Sequence, residues 1–271
     1  MPANPPASDV QAPRPSTAGT QPGAPAPVLR RRQFFVTGTD TEVGKTFVTS
    51  AMLASLADAG RRVFGLKPVA AGAEERQGQW VNEDALALMD MSSVKLSYQQ
   101  VNPILLRQAV APHIAADREG RSISVARLAG YCRGAFTTPH DVVFVEGAGG
   151  WLVPINGTET LADLAAALAL PVILVVGLRL GCINHALLTA DAVRRSGLTL
   201  AGWVANACSR EAMCAQDANI EALRARLGAP LLGIVPRAAS PRDHAVQQAL
   251  DLAALFGGPG DPLYCGGPTT A

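Results

Sequence analysis

The chain has 271 residues, 48% of them hydrophobic, which suffices for one large domain or two small ones with a well-buried core. Its 23 basic and 22 acidic residues give a net charge of +1, so no broad basic surface is available for nucleic acid or an anionic membrane. The five cysteines are an odd number without a CxxC pair, which argues against a disulfide framework and a structural zinc site. We therefore expect a globular cytoplasmic protein with reduced thiols and no nucleic-acid or membrane partner.

The two ends of the chain differ in composition from the middle. Residues 1–29 are dominated by Pro, Ala, Ser, Gly and Gln and lack the apolar core of a secretory signal. Residues 257–271 contain Gly-Gly-Pro repeats. No apolar run reaches the length of about 18 residues that a membrane helix needs. We predict a disordered tail at 1–29, a single domain at 30–256 and a flexible tail at 257–271.

Short apolar blocks alternate with longer stretches of helical pattern between these ends. The blocks are continuous runs of Val, Ile and Leu, which is typical of strands buried on both faces of a parallel sheet. We predict a doubly wound α/β fold with a mainly parallel sheet and helices on both faces, in three layers. Thr160 and Asp163 resemble a capping box at a helix start. The predicted elements, in chain order, are strand 34–37, helix 46–59, strand 63–66, helix 84–91, helix 125–136, strand 142–145, helix 161–168, strand 172–176, helix 185–195, strand 201–205, helix 215–227, strand 231–235 and helix 245–256.

The first predicted strand leads into a glycine-rich loop, Gly38-Thr39-Asp40-Thr41-Glu42-Val43-Gly44-Lys45-Thr46. Such a loop directs backbone N–H groups at an anion, and the following helix adds partial positive charge. A lysine and a hydroxyl then reach the terminal phosphates and Mg²⁺. Five positions, one more than usual, separate Gly38 from Gly44. The alternative is a chance Gly-Lys-Thr in a surface turn, but the flanking strand and helix favour a site for ATP or GTP.

Polar residues follow the other strands at the same edge of the predicted sheet, where ligands of doubly wound folds bind. Glu146 ends an apolar run and begins a glycine-rich loop, so it is a candidate ligand of Mg²⁺. Asp84 is a second candidate, although an acid at a helix start also offsets the helix dipole, and the residues alone leave both interpretations open. Lys67 follows the second strand, where it could neutralise charge in phosphoryl transfer or be a solvated lysine at a strand end.

Eight segments of the chain resemble the dethiobiotin synthetase family. In chain order they are VTGTDTEVGKT, GLKPVAAG, EDALAL, VNP, VEGAGGW, LPVILVVGLRLGCINHALLTA, GLTLAGWVAN and APLLGIVP. The resemblance extends from Phe34 to about Pro236, which is nearly the whole region between the tails. Several long motifs in the same order are far more specific than a phosphate loop alone.

The resemblance implies a homodimeric enzyme with a P-loop NTPase-like fold, which uses ATP, Mg²⁺ and CO₂ to close a ureido ring on 7,8-diaminononanoate. One substrate amine would capture CO₂ as a carbamate, and a carbamate oxygen would attack the γ-phosphate of ATP to give a carbamic-phosphoric anhydride. The second amine would then expel phosphate and form dethiobiotin, in the synthesis of biotin. Such a reaction needs positioning and charge neutralisation but no nucleophile from the enzyme.

The resemblance also implies roles for individual residues. In catalysis they are Lys67, Lys45 and Thr41, and around Mg²⁺ they are Thr46, Asp84 and Glu146. The implied ATP-binding residues are Glu42, Val43, Gly44, Lys45, Thr46, Phe47, Asp84, Glu146, Gly147, Ala148, Gly149, Asn206, Ala207, Pro236, Arg237, Ala238 and, in diverging sequence, Asp243. The implied substrate-binding residues are Thr41, Lys67, Ala71, Gly149 and a loop of Gly181, Cys182, Ile183 and Asn184 that binds the substrate carboxylate across the dimer interface.

Ala71 stands where the family commonly has a serine that touches the substrate. A methyl group cannot replace a hydroxyl in a hydrogen bond, and a lost bond of this kind costs about 1 kcal/mol. We therefore expect weaker substrate binding with the same reaction.

Two other classes of protein share parts of the pattern. A nucleotide-switched partitioning ATPase of the same fold would be expected to show a basic surface or a terminal amphipathic helix. Related amide-forming ligases usually carry a glutamine-hydrolysing domain with a reactive cysteine. We favour the ring-closing ligase that the resemblance implies over both classes, because of the near-zero net charge, the Gly/Pro-rich end and the chain length.

Overall fold

The computed structural model describes Met1, residues 32–211 and residues 213–256. The predicted tails lie outside these residues apart from Met1, so their disorder and the single domain at 30–256 stay predictions. None of the helices within these ranges has the length and apolar character that crossing a membrane requires. The elements are β1 (Arg32–Gly38), α1 (Lys45–Asp58), β2 (Val63–Leu66), β3 (Val69–Ala71), β4 (Glu74–Arg76), β5 (Gln79–Val81), α2 (Glu83–Met91), α3 (Tyr98–Val101), β6 (Ile104–Leu106), α4 (Pro112–Arg118), α5 (Val125–Phe136), β7 (Val142–Glu146), α6 (Leu161–Leu168), β8 (Val172–Gly177), α7 (Cys182–Arg195), β9 (Leu200–Asn206), α8 (Gln216–Leu227), β10 (Leu231–Val235) and α9 (His244–Gln248).

The central sheet has six strands in the order β10-β9-β8-β1-β7-β2. All of its neighbouring strands pair in parallel. β1 lies inside the sheet and the chain proceeds outwards from it in both directions, which confirms the predicted doubly wound fold. The carboxyl ends of β1, β2 and β7 therefore meet at one edge, where a ligand can bind outside the sheet.

Each face of the sheet has its own hydrophobic core, because successive side chains of a strand point to opposite faces. In β7, Val142 and Phe144 belong to the core beneath α1, which we call the α1-side core. Val143 and Val145 belong to the core beneath α5 to α8, which we call the α5-side core. Both faces of β7 are fully buried. Continuous apolar blocks are thus explained by burial on both faces, as the sequence predicts.

The region between β2 and α5 holds elements that the sequence analysis did not predict. β3 pairs in parallel with β6, and β4 and β5 form an antiparallel hairpin. These strands have three residues each, which is too short for a periodic signal. Helix α4 begins with Pro112, a favoured first helical residue that could have indicated its start.

The predicted helix at 245–256 is wrong. Helix α9 ends at Gln248, and Leu250 then forms an antiparallel bridge with Gly233 of β10. The Asp251 N–H donates to the Leu232 carbonyl at 2.7 Å. Contacts with the edge strand β10 thus replace the hydrogen bonds of a continued helix. The apolar residues Leu252, Leu255 and Phe256 that follow are buried in the α1-side core.

Candidate active site

The loop between β1 and α1 is held in shape by a side chain from β9. Asn206 Nδ2 donates to the Val43 carbonyl at 2.9 Å. Gly44 has a φ of 80°, and a Cβ built there would lie 2.2 Å from Asn206 Nδ2. Only glycine combines this backbone conformation with so close an approach.

The loop presents backbone N–H groups that are available to an anion. Among the described residues, no acceptor receives a hydrogen bond from the N–H groups of residues 42–47. These groups surround the N-terminus of α1, whose dipole favours negative charge. The geometry is that of a phosphate-binding loop.

Lys67, which follows β2, is the centre of a charged cluster in which the Asp84 side chain is 42% exposed and the other side chains are buried. Its ammonium lies 2.8 Å from Asp84 Oδ2 and 2.8 Å from Glu146 Oε1, and it donates to the Gly147 carbonyl at 3.1 Å. The side chain of Lys67 is 3% exposed and that of Glu146 is fully buried. Thr46 Oγ1 donates to Glu146 Oε1 at 2.6 Å, which links this cluster to the phosphate loop. The fold thus brings together residues that are up to 100 positions apart.

Electrostatic interactions favour the charged forms of Lys67 and Asp84. Burial acts to lower the pKa of Lys67, but the carboxylates of Glu146 and Asp84 outweigh burial and raise it. Burial acts to raise the pKa of Asp84, but the neighbouring Lys67 ammonium outweighs that effect and lowers it. Burial, followed by repulsion from Lys67, lowers the pKa of Lys45 to about 8. A bound anion beside Lys45 would offset both effects, so the site is suited to a phosphate group.

The oxygen atoms of Thr46, Asp84 and Glu146 fit a magnesium ion. Glu146 Oε2 is buried and has no hydrogen-bond partner among the described residues, although a buried carboxylate oxygen is costly to leave unpaired. A hydroxyl with two carboxylates is a set of hard oxygen donors, which Mg²⁺ prefers. The described residues include no group of three or more His, Cys, Asp or Glu side chains that could hold a metal. A cation here would therefore take further ligands from water or phosphate.

The phosphate loop and the charged cluster open into one cleft of about 650 Å³. Its walls include six apolar or small residues that the sequence analysis missed, namely Ala70, Ala109, Val110, Ala111, Pro112 and Val153. The segment of Ala109 to Pro112 joins β6 to α4, neither of which was predicted. The predicted site residues that line the cleft are Thr41, Glu42, Gly44, Lys45, Thr46, Lys67, Ala71, Asp84, Ala148 and Gly149.

Other predicted nucleotide-binding residues lie outside the cleft walls. Val43 and the partly buried Phe47 pack in the α1-side core. The Ala207 N–H donates to the Val235 carbonyl at 3.0 Å, and Asp243 Oδ1 accepts from the Ala245 N–H at 3.2 Å at the start of α9. Their assignments, with those of Pro236, Arg237 and Ala238 after β10, stay predictions.

The predicted loop of Gly181 to Asn184 is instead the start of helix α7. Gly181 adopts a φ of 92° and is the N-cap, so the helix begins at Cys182 and not at His185. The Cys182 side chain is buried in the α5-side core, whereas Asn184 is exposed. These residues do not line the cleft of the same chain.

The doubly wound parallel sheet and the phosphate loop define a P-loop nucleotide-binding α/β protein. The AAA domain family matches residues 32–243. The ATP-dependent dethiobiotin synthetase BioD of Cellvibrio japonicus (strain Ueda107) is 51% identical over 228 residues, which are 84% of this chain and 99% of that protein. The BioD protein of Aromatoleum aromaticum (strain DSM 19018 / LMG 30748 / EbN1) is 51% identical over 224 residues, which are 82% of this chain and 97% of that protein. The chain belongs to the dethiobiotin synthetase family.

Among solved structures, a ParA family ATPase from Chlorobium tepidum TLS aligns with a TM-score of 0.48 and 11% identity. The alignment covers 82% of this chain and 92% of that chain.

Proposed function

We propose how this protein, an ATP-dependent ligase of the dethiobiotin synthetase family that forms C–N bonds, divides the reaction among its residues. The substrates are 7,8-diaminononanoate, CO₂ and ATP, and the products are dethiobiotin, ADP and phosphate. The observation that carries the proposal is the cleft that joins a phosphate loop to the cluster of Lys67, Asp84 and Glu146. The alternative of a partitioning ATPase is not favoured, because dethiobiotin synthetases match this chain at about half identity over most of its length.

The phosphate loop and Lys45 bind the nucleotide phosphates. The free N–H groups of residues 42–47 are directed at the anion, and Lys45 approaches from the same loop, where its ammonium donates to the Asp40 carbonyl at 3.2 Å. A flexible ammonium can follow the charge from the leaving ADP to the transferred phosphoryl group.

Lys67 neutralises the carbamate while a carbamate oxygen attacks the γ-phosphorus and ADP leaves. The second amine then attacks the carbamic carbon, phosphate leaves, and the amine loses a proton. Thr41 and the backbone of Gly149 lie where they can contact the diamine, since both line the same cleft as Lys67 and Ala71. The protein supplies orientation and electrostatic stabilisation, so no covalent intermediate with the enzyme is needed.

Thr46, Asp84 and Glu146 hold Mg²⁺ in this proposal. The unpaired Glu146 Oε2 supports it, as does the all-oxygen donor set. When bound, the cation would neutralise charge on the phosphate oxygens.

The adenine base is placed at the ends of β9 and β10. The residues proposed to contact it are at or after the ends of these strands, at the sheet edge that carries the phosphate loop. They are Asn206, Ala207, the Pro236 to Ala238 segment and Asp243. Asn206 additionally supports the loop through the Val43 carbonyl.

The protein acts as a homodimer in which Gly181 to Asn184 of one subunit bind the substrate carboxylate of the other. Two observations support this part of the proposal. The N-terminus of α7 is a favourable place for a carboxylate, and its residues are outside the cleft of their own chain. Leu180 and Leu188 beside it are 94% and 62% exposed, which suits a surface covered by a second subunit.

We also propose that residues 30–256 form one ligase domain and that the protein is cytoplasmic. The two cores share a single central sheet, which supports one domain. Within the described residues Cys132, Cys182, Cys208 and Cys214 are free, as expected in a reducing compartment.

Phosphate release from MgATP tests the proposed function. We expect release that requires both the diamine and bicarbonate, with one equivalent of dethiobiotin formed per phosphate. Release at the same rate without the diamine would contradict the proposal.

A further inference from the structure

A chain of buried and partly buried hydrogen bonds leads away from the charged cluster, through residues with no assigned role. Asn102, which is 3% exposed, donates from Nδ2 to the Lys67 carbonyl at 2.6 Å and to the Ile104 carbonyl at 3.3 Å. Its Oδ1 accepts from the Tyr98 hydroxyl at 3.0 Å. Every polar atom of the Asn102 side chain is therefore paired, and one of its bonds holds the backbone of Lys67.

The same chain continues from Tyr98 to the start of α2, which carries Asp84. The Tyr98 hydroxyl accepts from the Asn82 backbone N–H at 2.8 Å. Asn82 is the N-cap of α2, and its side chain accepts from the Ala85 N–H and donates to the Gly72 carbonyl at 3.1 Å. Burial raises the pKa of Tyr98, so its hydroxyl keeps the proton that it donates. Tyr98 thus connects the end of β2 to the beginning of α2.

The arrangement matters because Lys67 and Asp84 come from different elements. Their 2.8 Å contact requires that the end of β2 and the first turn of α2 keep a fixed separation. The backbone of Lys67 is also held by its own N–H, which donates to the Val101 carbonyl at 2.9 Å. Helix α3 and its C-cap Asn102 therefore connect the backbone of Lys67 to the start of α2, which carries Asp84.

We propose that Tyr98 and Asn102 are positioning residues, which fix the Lys67 ammonium against Asp84 for the ring-closing reaction. This inference rests on the proposed function of the cleft. Neither residue lines the cleft, and the hydrogen bonds of their side chains go to other groups of the protein. Misplacement of a reacting group by about 1 Å can cost about 100-fold in rate, whereas binding through the phosphate loop would be unchanged. The expected effect is on kcat and not on KM.

Tyr98→Phe removes the central hydroxyl and keeps the ring. We expect kcat for diamine-dependent phosphate release to fall about tenfold or more, with KM for ATP and for the diamine within about threefold of wild type. The matched control is Tyr131→Phe, because the Tyr131 hydroxyl accepts from Arg127 Nε at 3.1 Å on an exposed face of α5. The control should keep the wild-type kcat.

Asn102→Ser gives an independent test, since serine is too short to reach both the Lys67 carbonyl and Tyr98. Its control is Asn219→Ser, where Nδ2 donates to the Ala215 carbonyl at 2.9 Å on the surface of α8. Asn102→Ser should lower kcat like Tyr98→Phe, and it decides the matter if Tyr98→Phe does not fold. Thermal unfolding of every variant establishes that the kinetics report folded protein.

Folded variants with wild-type kcat would overturn the inference and leave the chain a purely structural one. A rise in KM for ATP as large as the fall in kcat would also overturn it, because that result indicates general loosening of the site. Wild-type protein without diamine-dependent phosphate release would overturn the proposed function, and this inference with it. The wild-type assay therefore separates the two failures.

Discussion

At the scale of single residues, the site depends on charges whose partners come from distant parts of the chain. Lys67 follows β2, Asp84 lies in the first turn of α2, and Glu146 is the last residue of β7. Each of these residues alone has an ordinary structural explanation. The fold places a carboxylate oxygen of Asp84 and one of Glu146 each 2.8 Å from the Lys67 ammonium. The edge of the sheet could be predicted from the strand pattern, but the ion pairs could not, because the separation of β2 and α2 is set by tertiary packing.

Lys67→Ala is the most direct test of a residue. We expect kcat to fall by at least about 100-fold, because the carbamate and the transferring phosphoryl group lose their buried cation. ADP should still bind to the phosphate loop, as isothermal titration would measure. Lys95→Ala is the control, since Lys95 donates to the Met89 carbonyl on the surface. Near-normal turnover of Lys67→Ala would remove this residue from the mechanism.

Asp141 gives a prediction for stability against pH. Burial acts to raise the pKa of Asp141, but the Arg62 side chain and backbone N–H bind its carboxylate, at 2.7 and 2.8 Å, and lower it. The folded-state pKa is therefore below the unfolded value of about 3.9. The carboxylate stabilises the fold above about pH 4, and this contribution is lost as the pH falls through the folded-state pKa.

Asp141→Asn should lower the free energy of unfolding at neutral pH. The difference in the free energy of unfolding between the variant and wild type should become smaller below about pH 4. Urea unfolding at several pH values measures this. Asp58→Asn should have little effect at any pH, because the Asp58 ion pair with Arg242 is exposed on both sides. A constant difference between Asp141→Asn and wild type would contradict the assignment.

At the scale of elements, long periodic segments could be predicted and short ones could not. The capping box of Thr160 and Asp163 at the start of α6 is confirmed, since local chemistry determines it. Strands β3 to β6 have too few residues for a pattern, although β3 supplies Ala70 and Ala71 to the cleft wall. Helix α9 stops at Gln248 because a tertiary contact of Leu250 with β10 competes with helix formation.

The phosphate loop is the element whose shape is most restricted. Gly44→Ala should weaken ATP binding at least about tenfold, because the new Cβ would displace the Asn206 side chain from its hydrogen bond to the loop. Gly78→Ala is the matched control, since Gly78 has a similar φ of 77° with no atom within 4 Å of the added Cβ. The control shares the backbone strain but not the clash. Equal ATP affinity in both variants would show that the contact with Asn206 is unimportant.

At the scale of the whole molecule, the carboxyl ends of the strands of one parallel sheet lie at a single edge, where we propose that the nucleotide binds. The parallel pairing could be anticipated from the alternation of strands and helices, since parallel strands require crossover connections, but the order of the strands was not predicted. A subunit interface could not be derived from the residue pattern, because it depends on a surface formed by the fold. The exposed side chains of Leu180, just before the N-cap of α7, and Leu188, within α7, mark the surface where we propose that the second subunit binds.

Leu188→Asp should disrupt the proposed homodimer. A charge buried in an apolar interface loses its hydration, and this cost in free energy weakens the association of the subunits. Sedimentation should therefore show a shift to monomer at micromolar concentration. Because the substrate carboxylate site would be lost, KM for the diamine should rise while ATP binding persists. Ile234→Asp is the control, since Ile234 is 40% exposed on strand β10. A Leu188→Asp protein that sediments like wild type would contradict the interface.

The central claim is that the cleft activates a carbamate by phosphorylation, and the fate of the bicarbonate oxygens tests it most directly. With bicarbonate labelled in heavy oxygen, and the reaction stopped before exchange with water, one labelled atom should appear in the released phosphate. The carbamate oxygen that attacks the γ-phosphorus stays with phosphorus when the second amine displaces phosphate from carbon. Phosphate that takes its new oxygen only from unlabelled water, at the rate of product formation, would contradict the account.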